Sequence, residues 1–324
     1  MFALGKTVST LAYHNYTHYL EQGWGIIAQR HTRQLIVGLV KSLRPHHWTK
    51  NLLVFAGYIF TIQQHHSPQV LLRVIAAFAV FCAVSGAIYI ANDIADIERD
   101  RKHPKKRTRP IASGVVPVPA AAGFALALGI VALTVGYMLG IRFGALVTLY
   151  AVLTLGYSAV LKHIVILDLL VIAAGFVIRA AAGAVVINVQ ISPWLLVCTT
   201  LLALFLGLAK RRGELFQLEA SGEFRQTLTQ YNGVMLDQML SISAAACLMG
   251  YFLYTFSPSP ITGETHPQMM ATVPFVIYGI FRYLFLIYNR NAGESPERLL
   301  IEDKPLLISV VLFVVTAVIA LKLQ

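Results

Sequence analysis

Charge is what this chain has least of. Asp, Glu, Lys and Arg make up 13% of its 324 residues against 57% hydrophobic ones, and the mean hydropathy is +0.67. So little polar material cannot cover a soluble domain of this size, and the composition reads as a multi-pass membrane protein. Acidic residues are the scarcer sign, 15 against 26 Lys and Arg. The basic excess does not imply nucleic acid, because the cations fall between hydrophobic runs rather than on a folded polar surface. There they set orientation and attract anionic lipid or phosphorylated substrates. Cysteine is nearly absent too: Cys82, Cys198 and Cys247 all lie within apolar runs, which excludes a disulfide framework and a thiolate metal site. A secretory signal is not expected, since residues 1–32 mix Tyr, His, Glu and Gln without a continuous apolar core.

Long hydrophobic runs are what the chain has in abundance. Nine are expected to cross a membrane: one beginning at Pro45 with Trp48 at the interface and ending near Ile62, then 70–92, 118–139, 143–161, 165–187, 193–212, 235–256, 271–289 and 305–323. The expected architecture is an all-α integral membrane protein, a nine-transmembrane-helix bundle. Residues 1–43 would form an N-terminal extension with an amphipathic interfacial helix around Arg33–Leu43, and 44–324 a single transmembrane domain carrying the chemistry. Lys and Arg concentrate in Arg30–Lys50, Arg99–Arg109, at Lys162, in Lys210–Arg225 and in Arg290–Lys304, while the alternate loops are nearly free of them. The positive-inside rule then puts the N-terminus in the cytoplasm, the C-terminus outside, and the polar motifs on the cytoplasmic face.

One stretch organises the rest: residues 91–114, ANDIADIERDRKHPKKRTRPIASG, at the end of the second run. On a helix Asp93, Asp96 and Asp100 are i, i+3 and i+7, so their carboxylates are expected on one face, with Asn92 beside them. Three aligned like charges need a cation between them, and oxygen ligands with water favour Mg2+. The other reading is a solvated acidic helix end neutralised by its own basic loop, Lys105, Lys106, Arg107 and Arg109. Of that loop, Arg107 and Arg109 flank the turn at Pro110 and are best placed to reach inward.

A second polar group follows the fourth run: Tyr157, Ser158, Lys162 and His163, with Asp168 opening the fifth. A tyrosine belt with a snorkelling lysine would look the same. Arg179 lies deep in an apolar run and needs either an ion-pair partner across the bundle or a substrate. Gly175 and Gly183 in the same run suit close helix packing. Lys210, Arg211 and Arg212, with Glu214, end the sixth run, where topology alone would favour cations but where they could also clamp phosphates. The histidine pairs 46/47 and 65/66 lack metal-ligand spacing and read as interfacial. Carboxylates for a divalent metal plus several cations, beneath a bundle open to lipid, describe a site where a phosphorylated or pyrophosphorylated substrate meets a lipid.

The run Asn92-Asp93-x-x-Asp96-x-x-x-Asp100 resembles the first aspartate-rich motif of the UbiA superfamily of intramembrane prenyltransferases. Further segments look like its decaprenyl-phosphate phosphoribosyltransferase branch. They are Arg44-Pro45-x-x-Trp48-x-Lys50-Asn51, Lys106-Arg107-x-Arg109-Pro110-Ile111-Ala112-x-Gly114, Tyr157-Ser158-x-x-Leu161-Lys162, Arg179-Ala180-x-Ala182-Gly183 and Lys210-Arg211-Arg212-x-Glu214-Leu215. Ser295-Pro296-Glu297 and Glu302-Asp303-Lys304 match more loosely, and the first 40 residues are not covered. Where quinone and haem prenyltransferases carry a second aspartate pair, this chain has Tyr157, Lys162 and a lone Asp168.

The resemblance implies a nine-helix bundle in a bacterial-type cytoplasmic membrane that transfers phosphoribosyl from 5-phosphoribosyl-1-pyrophosphate to a polyprenyl phosphate. It would supply a pentose donor for the cell envelope, and a homo-oligomer is implied on the same ground. Asp93, Asp96 and Asp100 would bind Mg2+. Catalysis would rest on Asp93, Asp96 and Lys162, with Lys50, Asn92, Asp100, Arg107, Arg109, Tyr157, Asp168, Arg179, Lys210, Arg211 and Glu214 contacting substrates. Lys50, Lys162 and Arg179 would orient the acceptor phosphate or the 5-phosphate, a division left open. Two other readings stay open: an aromatic or quinone prenyltransferase using a prenyl diphosphate, and a transporter with Arg179 and the acidic face lining its path.

Overall fold

A computed structural model describes residues 32–62, 66–221, 230–258, 263, 265, 267–290, 299–300 and 302–322. Much of the expected N-terminal extension, His65 and the Ser295–Glu297 match lie outside these residues. Regular structure among the described residues is helical. Helix α1 covers 32–42. A 3-10 run, Pro45–Phe55, leads into α2 (Ala56–Phe60). There follow α3 (Pro68–Ala95), α4 (Ile97–Lys102), α5 (Val118–Leu139), α6 (Ile141–Ala159), α7 (Leu167–Val186), α8 (Pro193–Ser221), α9 (Gly233–Phe256), α10 (Val273–Arg290) and α11 (Lys304–Lys322).

Eight helices, α3 and α5 through α11, are long and apolar enough to cross a membrane. They coincide with eight of the nine expected runs. The remaining run is not a long α-helix: it is the 3-10 segment with the single-turn α2. Its backbone is drawn against α7 where that helix carries only alanine and glycine. A Cβ at Gly183 would overlap the Val54 carbonyl, and one at Gly57 would press on the Ala184 backbone.

The chain forms two compact units. One is Met1–Pro45 with Tyr89–Leu126 and the other His46–Ile88 with Ala127–Gln324. The core of the first is Ile90, Ile111, Val116 and Ala121, onto which Leu35, Leu39 and Leu43 pack at i, i+4 and i+8. Gly38 on α1 lies against Val116, where a larger residue would collide. The other face of α1 leaves Ile36, Val37 and Val40 exposed, with Arg33 and Lys41 beside them. Residues 109–116 close into hydrogen-bonded turns, Ser113 N–H to Arg109 O at 2.9 Å and Val116 N–H to Pro110 O at 2.9 Å. Ile111, 1% exposed, pins that loop to the core.

In the second unit α7 is the central helix, with residues from Asp168 to Val186 buried on several sides. It packs on α2, α6 and α8, and α8 packs in turn on α9. One apolar cluster joins Phe81, Phe143, Tyr150, Ile178 and Val54, and another joins Leu169, Phe205, Leu236, Leu240, Leu286 and Leu306.

Candidate functional site

The acidic motif lies where α3 gives way to α4. Helical hydrogen bonding runs through the junction, Asp96 N–H to Asn92 O at 2.9 Å and Asp100 N–H to Asp96 O at 2.8 Å. The three carboxylates expected on one face are not equally buried. At 3.6 residues per turn, position 100 returns to within about 20° of position 93, whereas position 96 is about 60° away. Asp93 and Asp100 are 3% and 2% exposed, while Asp96 pairs outward with Arg99 at 3.2 Å. Between the two buried carboxylates sits Arg109: its Nη1 lies 3.0 Å from Asp93 Oδ1 and 2.5 Å from Asp100 Oδ2. Arg44 Nη2 reaches the same Asp93 oxygen at 2.5 Å, its guanidinium 5.0 Å over the Tyr89 ring. The basic loop does neutralise the acidic helix end, through Arg109, and Arg44 joins it from the far side of the sequence. Asn92 is half-buried beside them, whereas Arg107 is exposed.

Two carboxylates converge on one point at hydrogen-bond range, and Mg2+ is commonly held by one or two carboxylates completed by water and substrate phosphates. Among the described residues no group of three or more His, Cys, Asp or Glu could hold a metal by itself. The donor set therefore fits a metal that arrives with phosphate ligands rather than an all-protein cage.

The second polar group belongs to the other unit. Asp168, at the start of α7, is fully buried. Its Oδ2 accepts from Arg211 Nε at 2.8 Å and its Oδ1 from the Tyr231 hydroxyl at 3.0 Å. Arg211 also donates Nη1 to Glu214 at 2.5 Å and Nη2 to the Tyr157 hydroxyl at 3.0 Å. All three of its nitrogens are thus engaged, and its side chain is 4% exposed. Lys210 lies 3.9 Å from Glu214. Lys162 falls in the 3-10 turn Leu161–His163 that follows α6, partly exposed, as is Lys50 on the Pro45–Phe55 run. Tyr231 accepts the Ile166 N–H at 2.8 Å, and Ile166 has φ 69°, an unusual backbone for a β-branched residue. Burial, then the adjacent Asp168 carboxylate, push the Tyr231 hydroxyl up to about 12, although the Ile166 N–H opposes them. It remains a donor at neutral pH.

Arg179, expected to meet either an ion-pair partner or a substrate, has neutral partners among the described residues. Nε donates to Asn51 at 2.8 Å, Nη1 to the Gly175 carbonyl at 2.9 Å and Nη2 to the Tyr150 hydroxyl at 2.7 Å. The guanidinium stacks 4.6 Å from the Tyr150 ring. Asn51 thereby ties the 3-10 run to α7. Arg212 donates to Asp237 at 2.5 Å and lies over the Tyr288 ring, joining α8 to α9 and α10.

Arg44 and Tyr231 were not singled out as site residues from the sequence. Arg44 stood in a motif without a role, and its link to Asp93 spans 49 residues. Nothing in the pattern around Tyr231 marks it, since its partner Asp168 lies 63 residues away.

Comparison with known proteins agrees with this architecture. Two bacterial proteins named decaprenyl-phosphate phosphoribosyltransferase are each 34% identical to this chain. The one from Corynebacterium glutamicum aligns over 85% of this chain and 83% of its own length. That from Mycolicibacterium smegmatis aligns over 85% and 89%. A solved UbiA homolog from Archaeoglobus fulgidus, bound to GPP and Mg2+, superposes with a TM-score of 0.66, covering 89% of this chain and 100% of its own at 18% identity. The sequence profile of the UbiA prenyltransferase family matches residues 51–310, and this multi-pass membrane protein belongs to that family.

Proposed function

We propose that the protein transfers the 5-phosphoribosyl group of 5-phosphoribosyl-1-pyrophosphate to a polyprenyl phosphate, releasing pyrophosphate. The relatives named decaprenyl-phosphate phosphoribosyltransferase support this reading. The observation that carries it beyond family membership is the state of Asp168. Ionising a prenyl diphosphate with two metal-bound carboxylate clusters would need a carboxylate free at the second cluster. Here Asp168 is fully buried and committed to Arg211 and Tyr231.

In this proposal Asp93 and Asp100, with Asp96 from the solvent side, would hold Mg2+. The metal, when bound, would supply charge neutralisation to the leaving diphosphate. Arg109 and Arg107 would bind the diphosphate oxygens, with arginine suited to bidentate contact, and Asn92 would contact the donor. Lys50, Lys162, Lys210 and Arg179 are the cations proposed for the acceptor phosphate and the donor's 5-phosphate. Arg179 suits the task because its charge meets no carboxylate among the described residues. Asp168 and Glu214 act through Arg211, which holds the Tyr157 hydroxyl in place. The C1–O bond loosens as the diphosphate is neutralised, and the acceptor oxygen forms the new bond with inversion at C1. No general base is required, because a phosphate oxygen is already anionic near neutral pH. The site is proposed to face the cytoplasm of a bacterial-type membrane.

The test is label transfer from 5-phosphoribosyl-1-pyrophosphate to polyprenyl phosphate by the purified protein. A labelled lipid is expected that disappears with EDTA. Asp93→Asn should lower turnover by about a hundredfold or more while the protein stays folded. Conversion of a prenyl diphosphate with an aromatic acceptor instead would overturn the donor assignment.

A further inference from the structure

We propose that Arg44 and Arg109 are resident counter-ions that reserve Asp93 and Asp100 for a metal arriving together with a diphosphate. Arg44 is then a positioning residue of the reaction. The inference rests on the metal reading above and adds to it an order of binding.

The charges balance without a metal: two buried carboxylates face two guanidinium groups, one of which bridges both acids. A lone divalent cation entering this set would stand beside two positive charges that already hold the oxygens it needs. A diphosphate changes the balance, because it offers the guanidinium groups new acceptors while the carboxylates pass to the metal. The arrangement is suited to exchange where the Asp168 cluster is not. Arg44 and Arg109 side chains are 21% and 29% exposed, against 4% for Arg211. Arg211 spends three nitrogens on three partners, whereas Arg109 holds two acids through one nitrogen. Backbone geometry holds Arg44 in reach: it has φ 52°, a left-handed conformation that costs a non-glycine residue and persists where surroundings impose it. Arg109 stands on the turn anchored by Ile111, so its side chain can swing while its backbone stays fixed.

The experiment measures protein-bound Mn2+ by electron paramagnetic resonance on the full chain in detergent, alone and with inorganic pyrophosphate. Wild type is expected to bind Mn2+ weakly alone and about tenfold or more tightly with pyrophosphate. Arg44→Gln and Arg109→Gln should each bind Mn2+ alone about tenfold more tightly and show a smaller gain from pyrophosphate. Arg109→Lys, which keeps the charge, should stay near wild type. Because a buried acid left without its cation destabilises the fold, thermal unfolding is read in parallel: Mg2+ alone should raise the melting temperature of the Gln variants and not that of wild type. Unchanged metal-only affinity in both Gln variants, or Gln variants that Mg2+ fails to stabilise, overturns the counter-ion role and leaves the metal reading standing. No bound Mn2+ in any protein, with or without pyrophosphate, overturns both.

Discussion

The Tyr231 hydroxyl is bonded on both sides: it donates to Asp168 and accepts from Ile166, so one group holds a buried carboxylate and a strained backbone turn together. Removing only that oxygen, Tyr231→Phe, is expected to cost about 1–3 kcal/mol, since it leaves a buried acceptor and a partly buried N–H without their partner. The pH dependence follows from the raised pKa. The hydroxyl titrates near 10.0 when solvated and is pushed up to about 12 in the folded protein. Its stabilisation is therefore fully present below pH 10 and is lost as pH rises toward 12. Thermal unfolding of both proteins between pH 8 and 11.5 should show a constant gap that narrows above pH 10. A gap that stays constant to pH 11.5 would mean the hydroxyl does not carry the interaction. At this scale the sequence reveals residue types and helical angles, which is why Asp93, Asp96 and Asp100 were legible as one acidic group. Arg109 was legible as a cation able to reach them, but Arg44 was not, because its pairing with Asp93 depends on a backbone conformation that no spacing encodes.

Among the elements, the junction of the Pro45–Phe55 run with α7 is governed by what α7 omits. Ala180 to Ala184 with Gly183 among them present a nearly bare backbone, and the Val54 carbonyl fills the space a side chain would take. Small residues let helices approach closely where lipid offers no hydrophobic driving force. Gly183→Ala is expected to destabilise by about 1–3 kcal/mol, because the clash is with backbone and cannot be relieved by a rotamer change. Gly123→Ala in α5 meets nothing within 4 Å and should be neutral or stabilising, by up to about 1 kcal/mol of helix propensity. Melting temperatures in detergent check both, and equal effects would refute the packing account. The eight long helices were legible because each is a continuous apolar run of sufficient length. The 3-10 run was not, since its form is set by docking against α7 and by the Asn51–Arg179 bond rather than by local propensity.

Across the whole molecule, the side of the membrane on which each loop lies turns on that same short element. An α-helix spanning Pro45 to Phe60 would be too short to cross comfortably, but a 3-10 helix rises about 2.0 Å per residue against about 1.5 Å for an α-helix. Eleven 3-10 residues and five α residues therefore climb about 30 Å, close to the thickness of the hydrocarbon core. The charge pattern asks for a crossing at this point. Cations crowd the stretch before it and the loop after α3, so with α3 crossing once, both can lie in the cytoplasm only if the short element crosses too. Single cysteines at Arg33, Ser67, Thr108 and Gln190, all exposed, can test this in a background with Cys82, Cys198 and Cys247 replaced by Ala. An impermeant maleimide applied to intact cells should label Ser67→Cys and Gln190→Cys, and Arg33→Cys and Thr108→Cys only after permeabilisation. If Arg33→Cys and Ser67→Cys react from the same side, the short element turns back, the termini share a side, and the nine-span topology is wrong. If all four report opposite to expectation, the cytoplasmic placement of the Asp93 site falls while the fold stands.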